Sequence, residues 1–270
     1  MSEPKRSRTW VWVLGVLAAF LASYAAQRIA RQPEKAEAVK AIDGMTASIE
    51  HLAEQKKFGA DVGPIELQAV AATATGDMGV VELLSKQFIN DAAAQYNEYL
   101  KALENAGWIG VLDAERLKKD PTMKESRAIV EASKAVVKEY REKSLTLLAS
   151  LPERAKQATF QSEEVRRGFL DGVASSSVVT LKNNEQNWNH EEAIVAEYAA
   201  VIELFARLQG HYQFEEDGSV VFETDEAVET YNGHMTKANE LIAAQAEAMK
   251  QQQSFALKKM DQARDSVAGR

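Results

Sequence analysis

From Thr9 to Ala26 the chain reads TWVWVLGVLAAFLASYAA, eighteen residues without a charge, and no other stretch of its 270 residues is comparable. At 1.5 Å per residue a helix of that length spans about 27 Å, just adequate for the hydrocarbon core of a bilayer. Leu14, Leu17, Phe20 and Leu21 supply the apolar body, while Trp10 and Trp12 lie near one end and Tyr24 near the other, where amphipathic rings prefer the interface. Lys5, Arg6 and Arg8 precede the run and Arg28 and Arg31 come after it. The pattern predicts a leader at 1–8, a transmembrane anchor at 9–27 and one domain at 28–270. A leader this short is poorly suited to be a translocated domain, so it is expected in the cytoplasm with the bulk on the far side. In a bacterium that is a single-pass protein of the inner membrane with a periplasmic body. The same residues also suit a cleaved signal peptide, with a basic start, an apolar core from Val11 to Ala22, and Ser23 and Ala25 placed as small residues before Ala26. Cleavage near Ala25 would release the body to the periplasm.

A single crossing weighs against a transporter or a channel monomer. The chain beyond the crossing is expected to be water-soluble and helical, because Ala, Glu, Lys, Gln and Leu recur throughout while Gly and Pro number only 14 and 5. The six basic and two acidic residues of positions 1–35 mask the character of the remainder, which holds 26 basic and 38 acidic residues, a net charge of −12. So acidic a body repels phosphate backbones, and nucleic acid is excluded as a partner class. Cysteine is absent, which removes disulfides, thiolate metal ligands and thiol nucleophiles together.

Capping residues and helical periods divide the body. Pro33 opens a helix from Glu34 to about Lys57, interrupted by the Gly- and Pro-containing run Phe58 to Pro64. Ile65 to Ala72 is a short apolar piece before a Thr-rich turn through Gly76 and Asp77. Val81, Leu84, Phe88, Ala92, Tyr96, Tyr99 and Leu103 step by three or four toward Gly107, a left-handed helix end. Trp108, Ile109, Val111, Leu112 and Leu117 are too apolar for a free loop and should close one end of a bundle around a one-turn helix begun by Asp113. Asp120-Pro121 reads as the next start, Ser150-Leu151-Pro152-Glu153 as another, with the helix after it turning a small-residue stripe inward: Ala155, Ala158, Ser162, Val165, Phe169, Val173 and Ser176. The polar run Asn183 to His190 is either a break, with a new helix at Asn189, or a polar band within one helix. Asp217-Gly218 predicts a two-residue hairpin turn inside 212–224. Thr224 or Asp225 then caps a last helix, with Val228, Tyr231, Met235, Ala238, Ile242 and Met249 inward, a pattern that decays after Gln253. The fold class expected is mainly all-α, an elongated antiparallel helical bundle of coiled-coil character with one small hairpin; helices of about 30 residues reach roughly 45 Å.

None of the four His residues belongs to a zinc-binding pair, no glycine-rich turn is succeeded by Lys-Ser or Lys-Thr, and no nucleophile elbow occurs. The acidic groups Glu163-Glu164, Glu191-Glu192 and Glu215-Glu216-Asp217 read as surface charge, since adjacent helical residues point about 100° apart. Catalytic, metal and cofactor residues are therefore not assigned. Trp108 and Trp188 are the candidates for a specific contact, each weighed against a place in the core. The expected function is a non-catalytic scaffold or interaction protein of the cell envelope, whose partners are the lipid bilayer and another protein or a second copy. The competing expectation is a ligand-sensing or solute-binding helical module lined by the small-residue helix and the band near Trp188.

Overall fold

The structure, a computed structural model, describes residues 32–54 and 64–269. The residues expected to form the anchor, Trp10, Trp12, Leu14, Leu17, Phe20, Leu21 and Tyr24, and most of the run from Phe58 to Pro64, lie outside them. Among the described residues no helix is long and apolar enough to cross a membrane. The chain is mostly helical: α1 is Gln32–Glu54, α2 Gly76–Asn105, α3 Ala114–Lys119, α4 Lys124–Gln157, α5 Glu163–Arg207 and α6 Asp225–Ala268, with strands β1 Tyr212–Phe214 and β2 Val220–Phe222 between the last two. These elements form two compact units, one of residues 98–141 and 187–246, the other built on residues 32–54, 64–97, 142–186 and 247–269.

In the first unit Gly107 adopts φ 80°, and the chain turns into a short 3-10 segment that buries Trp108. Asp113 caps α3 by accepting the Arg116 N–H, so Val111, Leu112 and Leu117 are buried as the sequence requires, while Ile109 stays 42% exposed. The next helix does not begin at Pro121. Asp120 ends α3, Met123 takes φ 54°, and α4 starts at Lys124. Asp120 still caps α4, reaching over Met123 to the N–H and hydroxyl of Ser126 at 2.7 Å each. The hairpin pairs Tyr212 with Phe222 and Phe214 with Val220. Its turn is one residue longer than two: the Gly218 N–H donates to the Glu215 carbonyl, the Glu215 N–H donates to the Ser219 carbonyl, and Gly218 supplies φ 77°. This is a three-residue loop whose left-handed residue forms a bulge. Tyr212, Phe222 and Tyr231 surround the buried Phe205 ring at 4.9, 6.0 and 5.9 Å, and that packing stabilises a hairpin too short to stand alone. Val228, expected inward, is 38% exposed.

In the second unit α4 passes straight through Pro152. An interior proline costs about 3 kcal/mol, but Leu148 and Leu151 are both buried there, and each contributes roughly 1.5–3 kcal/mol, so burial wins over the capping signature. The break comes instead at residues 158–162, which places Ala158 and Ser162 outside any helix. There the carboxylate of Asp77, in the first turn of α2, accepts the N–H groups of Gln161 and Ser162 at 2.6 and 2.8 Å, and Ser162 caps α5. Ala155, Val165, Phe169, Val173 and Ser176 are buried as expected. α5 then continues unbroken through Asn189, so the polar run is a band within one helix. α6 likewise does not decay after Gln253: Ala256, Met260, Ala263 and Val267 are buried at helical spacing.

Residues 64–75 form neither helix nor strand. They run as an extended strap along α2 in the opposite direction, held by side chains that address its main chain. Asn97 accepts the Ile65 N–H at 2.6 Å and donates to the Ile65 carbonyl at 2.8 Å. Asn90 does the same to Gln68 at 3.2 and 2.6 Å. Glu82, fully buried, accepts the N–H groups of Thr73 and Ala74 at 2.8 and 2.9 Å and pairs with Lys86 at 2.6 Å. From α1, the Ser48 carbonyl accepts the Gln68 amide and Glu37 accepts the Thr75 N–H.

Candidate functional site

Both candidate tryptophans are core residues. Trp188 is 1% exposed, its ring edge-on to Tyr99 with centroids 5.3 Å apart, and Tyr99 in turn meets Tyr140 at 5.5 Å. Trp108, turned inward by the Gly107 conformation, stacks on Tyr198 at 5.3 Å. Burial of Tyr198 pushes its hydroxyl up to about 12, which keeps it a neutral phenol.

Of the polar run, Asn184 and Asn187 are buried while Glu185, Gln186 and Asn189 are exposed. Ser176, Thr180 and Asn184, spaced by four, are buried in the second unit, and the Asn184 amide donates to the Ser144 hydroxyl at 3.1 Å. In the first unit the buried Gln245 amide donates to the Asn187 carbonyl at 3.2 Å. Thr180 Oγ1 in the second unit and, separately, Gln245 Oε1 in the first are each buried without a hydrogen-bond partner. Unmatched buried oxygens carry a desolvation cost of about 1–3 kcal/mol each, and a small polar molecule or water relieves it.

The titratable groups are arranged for pairing. Glu197 is buried in the first unit and meets His234 Nδ1 at 2.7 Å and Lys237 Nζ at 2.5 Å. Burial pushes its carboxyl up, but the hydrogen bonds from Lys237 and His234 outweigh this and hold it below the usual glutamate range. With an ammonium as the third member, the group is an ion-paired cluster. The sequence-adjacent acids also face partners: Glu163 pairs with Arg166, Glu192 with Arg141, and Asp217 accepts the Ser219 N–H. Among the described residues no three His, Asp or Glu side chains converge as a metal site.

On the outside, a shallow groove of about 200 Å3 lies between α4 and α5 over Val130 and Ile202. Arg127 and Glu203 line it with a two-point fork at 2.7 and 2.6 Å. Its volume is below the roughly 300 Å3 of ordinary ligand pockets. More informative is the α5 surface in the second unit, where Val178, Val179 and Leu181 are 71%, 42% and 39% exposed within four residues. Sequence reasoning placed the buried face of this helix and passed over its outer one, although three large apolar residues beside the buried Ser176 and Thr180 were the available sign. No family model matches the chain, and neither a curated protein nor a solved structure does.

Proposed function

We propose that the chain is a non-catalytic helical scaffold of a bacterial envelope, held in the inner membrane by residues 9–27 with its helical bundle in the periplasm, and that it docks a protein partner or a second copy. The observation that carries this reading is the exposed apolar stripe of Val178, Val179 and Leu181 on α5. Monomer surfaces scatter such residues singly, whereas contiguous exposed apolar residues mark contact sites. Covering these three would contribute roughly 2–4 kcal/mol, a useful share of the about 8 kcal/mol of a micromolar complex. A photoreactive residue at position 178 of the full-length chain, activated in intact membranes, is expected to give a discrete higher-mass adduct, and the same residue at position 186 none. Recovery of the monomer alone across growth conditions overturns the reading. Extraction of the full-length chain by detergent but not by alkaline wash supports the anchor, whereas a mature N-terminus at Ala26 replaces it with secretion.

A second reading, a helical module that senses a small polar ligand through a separate transducer, is favoured by the unmatched Thr180 oxygen on the small-residue helix of the second unit. A ligand at 100 times its dissociation constant adds about 2.7 kcal/mol of stability, so a thermal-shift screen of envelope metabolites separates the two readings.

A further inference from the structure

The strap at 64–75 is recognised by its main chain. Asn90 and Asn97 stand seven residues apart, two helical turns and about 10.5 Å along α2. Ile65 and Gln68, which they grip, stand three residues apart, about 10 Å of extended chain. The two spacings match, and each asparagine both accepts an N–H and donates to the carbonyl of the same residue, the pairing that a neighbouring strand would offer. Toward the α2 N-terminus, Lys86 donates to the Ala71 carbonyl at 3.0 Å and Glu82 takes the N–H groups of Thr73 and Ala74. Side chains do much less of the holding. Only Ile65 and Ala74 of the strap are buried, while Leu67 and Val70 are 49% and 38% exposed. Gln68 and Thr73 add side-chain hydrogen bonds to Ser48 and Glu82, but a groove that reads mainly backbone places few demands on sequence. It asks for an extended chain running against α2, an apolar residue where Ile65 sits, a small one where Ala74 sits, and no proline where an N–H is gripped.

From this geometry we infer that the α1–α2 face of the second unit is a docking groove for an extended segment of a partner polypeptide, and that the strap is its resident occupant, displaced when the partner binds. This surface is distinct from the α5 stripe and does not depend on the function proposed for it. Exchange is feasible because an incoming extended chain remakes the main-chain hydrogen bonds that the strap gives up, as strand addition does in other peptide-binding proteins. The strap is tethered to the groove through the chain itself, so it competes at high effective concentration and the free groove is a minor state.

The probe is a fluorescent peptide carrying the strap sequence, PIELQAVAATAT, titrated into the full-length chain in detergent. Gln68→Pro removes the N–H that Asn90 accepts and weakens the strap without altering the groove; it is expected to bind the peptide at least tenfold more tightly than the unmodified chain. Adding Asn90→Ala and Asn97→Ala should abolish that binding, and a peptide with proline in place of Gln68 should not bind. In the unmodified chain, saturating peptide should speed amide exchange at Ile65 and Gln68 while α2 stays protected, a readout that needs no variant. The inference is overturned if peptide leaves those amides unchanged, if the asparagine variants bind it equally well, or if release of the strap yields only dimers that have exchanged straps.

Discussion

Asp120 takes both hydrogen bonds that Ser126 can give, main-chain N–H and hydroxyl, each at 2.7 Å. Both residues are buried, and the pair joins the end of α3 to the first turn of α4 across the left-handed Met123. Burial pushes the Asp120 carboxyl up, but the Ser126 donors, with the Glu125 N–H and the Arg116 charge, outweigh it and hold the group below the usual aspartate range. Asp120→Ala is expected to cost about 1–2 kcal/mol, as loss of a helix cap does, and to lower the urea midpoint accordingly. The folded value lies below the unfolded one, so this stability is present above the ordinary aspartate pKa of about 3.9 and is lost as pH falls through the folded value. Wild type and variant should therefore converge in acid; a gap that persists there would exclude the carboxylate as its source.

The same joint shows what was legible in the residues. Gly107 as a left-handed helix end, Asp113 as a cap and Gly218 as the turn glycine each act within four residues, and each was readable. Asp120 was readable as a cap but not as one that reaches past three residues, because nothing local announces positive φ at a methionine. The end of α4 was hidden for a stronger reason. No Gly or Pro lies at 158–162, and the N–H groups exposed there are taken by Asp77, more than eighty residues away in sequence. In the candidate sites, Ser176 was readable as the end of the inward stripe, but its continuation through Thr180 and Asn184 was visible only as polarity. The asparagine clamps on the strap were invisible, since their partners are backbone.

Gly44 lies within α1, where alanine would ordinarily gain about 1 kcal/mol. Here a Cβ would stand 2.2 Å from Glu82 Oε1 and 2.9 Å from Thr73 Oγ1. The carboxylate cannot swing aside cheaply, because the Thr73 and Ala74 N–H groups and the Lys86 ammonium hold it. Sterics should win over propensity, and Gly44→Ala is expected to destabilise by roughly 2 kcal/mol net. Faster amide exchange at Thr73 and Ala74 than in wild type would place the damage at the strap, and a stabilised variant would refute the geometry.

Glu197 offers a contrast between buried and exposed partners in one cluster. Glu197→Gln leaves the buried site without its charge and is expected to cost about 1–3 kcal/mol. Lys237→Ala should cost no more than about 1 kcal/mol, because the ammonium is 64% exposed and its attraction is screened. The folded carboxyl titrates below its unfolded value, so the Glu197 contribution is present above about pH 4.3 and lost as pH falls through the folded value. Thermal midpoints of the two variants and wild type across that range test the order; a lysine variant costlier than the glutamine one would reverse it.

Gly107 and Gly210 share nearly the same backbone, φ 80° and 84°, and differ in surroundings. A Cβ on Gly210 meets nothing within 4 Å, whereas on Gly107 it would lie 3.2 Å from Cγ1 and Cδ1 of Ile129. Gly210→Ala therefore carries only the left-handed penalty, about 1–2 kcal/mol. Gly107→Ala carries the same penalty and must also turn the Ile129 side chain away from its preferred rotamer, which adds about 0.5–1 kcal/mol. Replacing Ile129 with Ala in both backgrounds removes that second contribution, so the two glycine substitutions should then cost the same within about 0.5 kcal/mol. If the difference survives in the Ile129→Ala background, the excess at Gly107 comes from the turn into Trp108 and not from the contact.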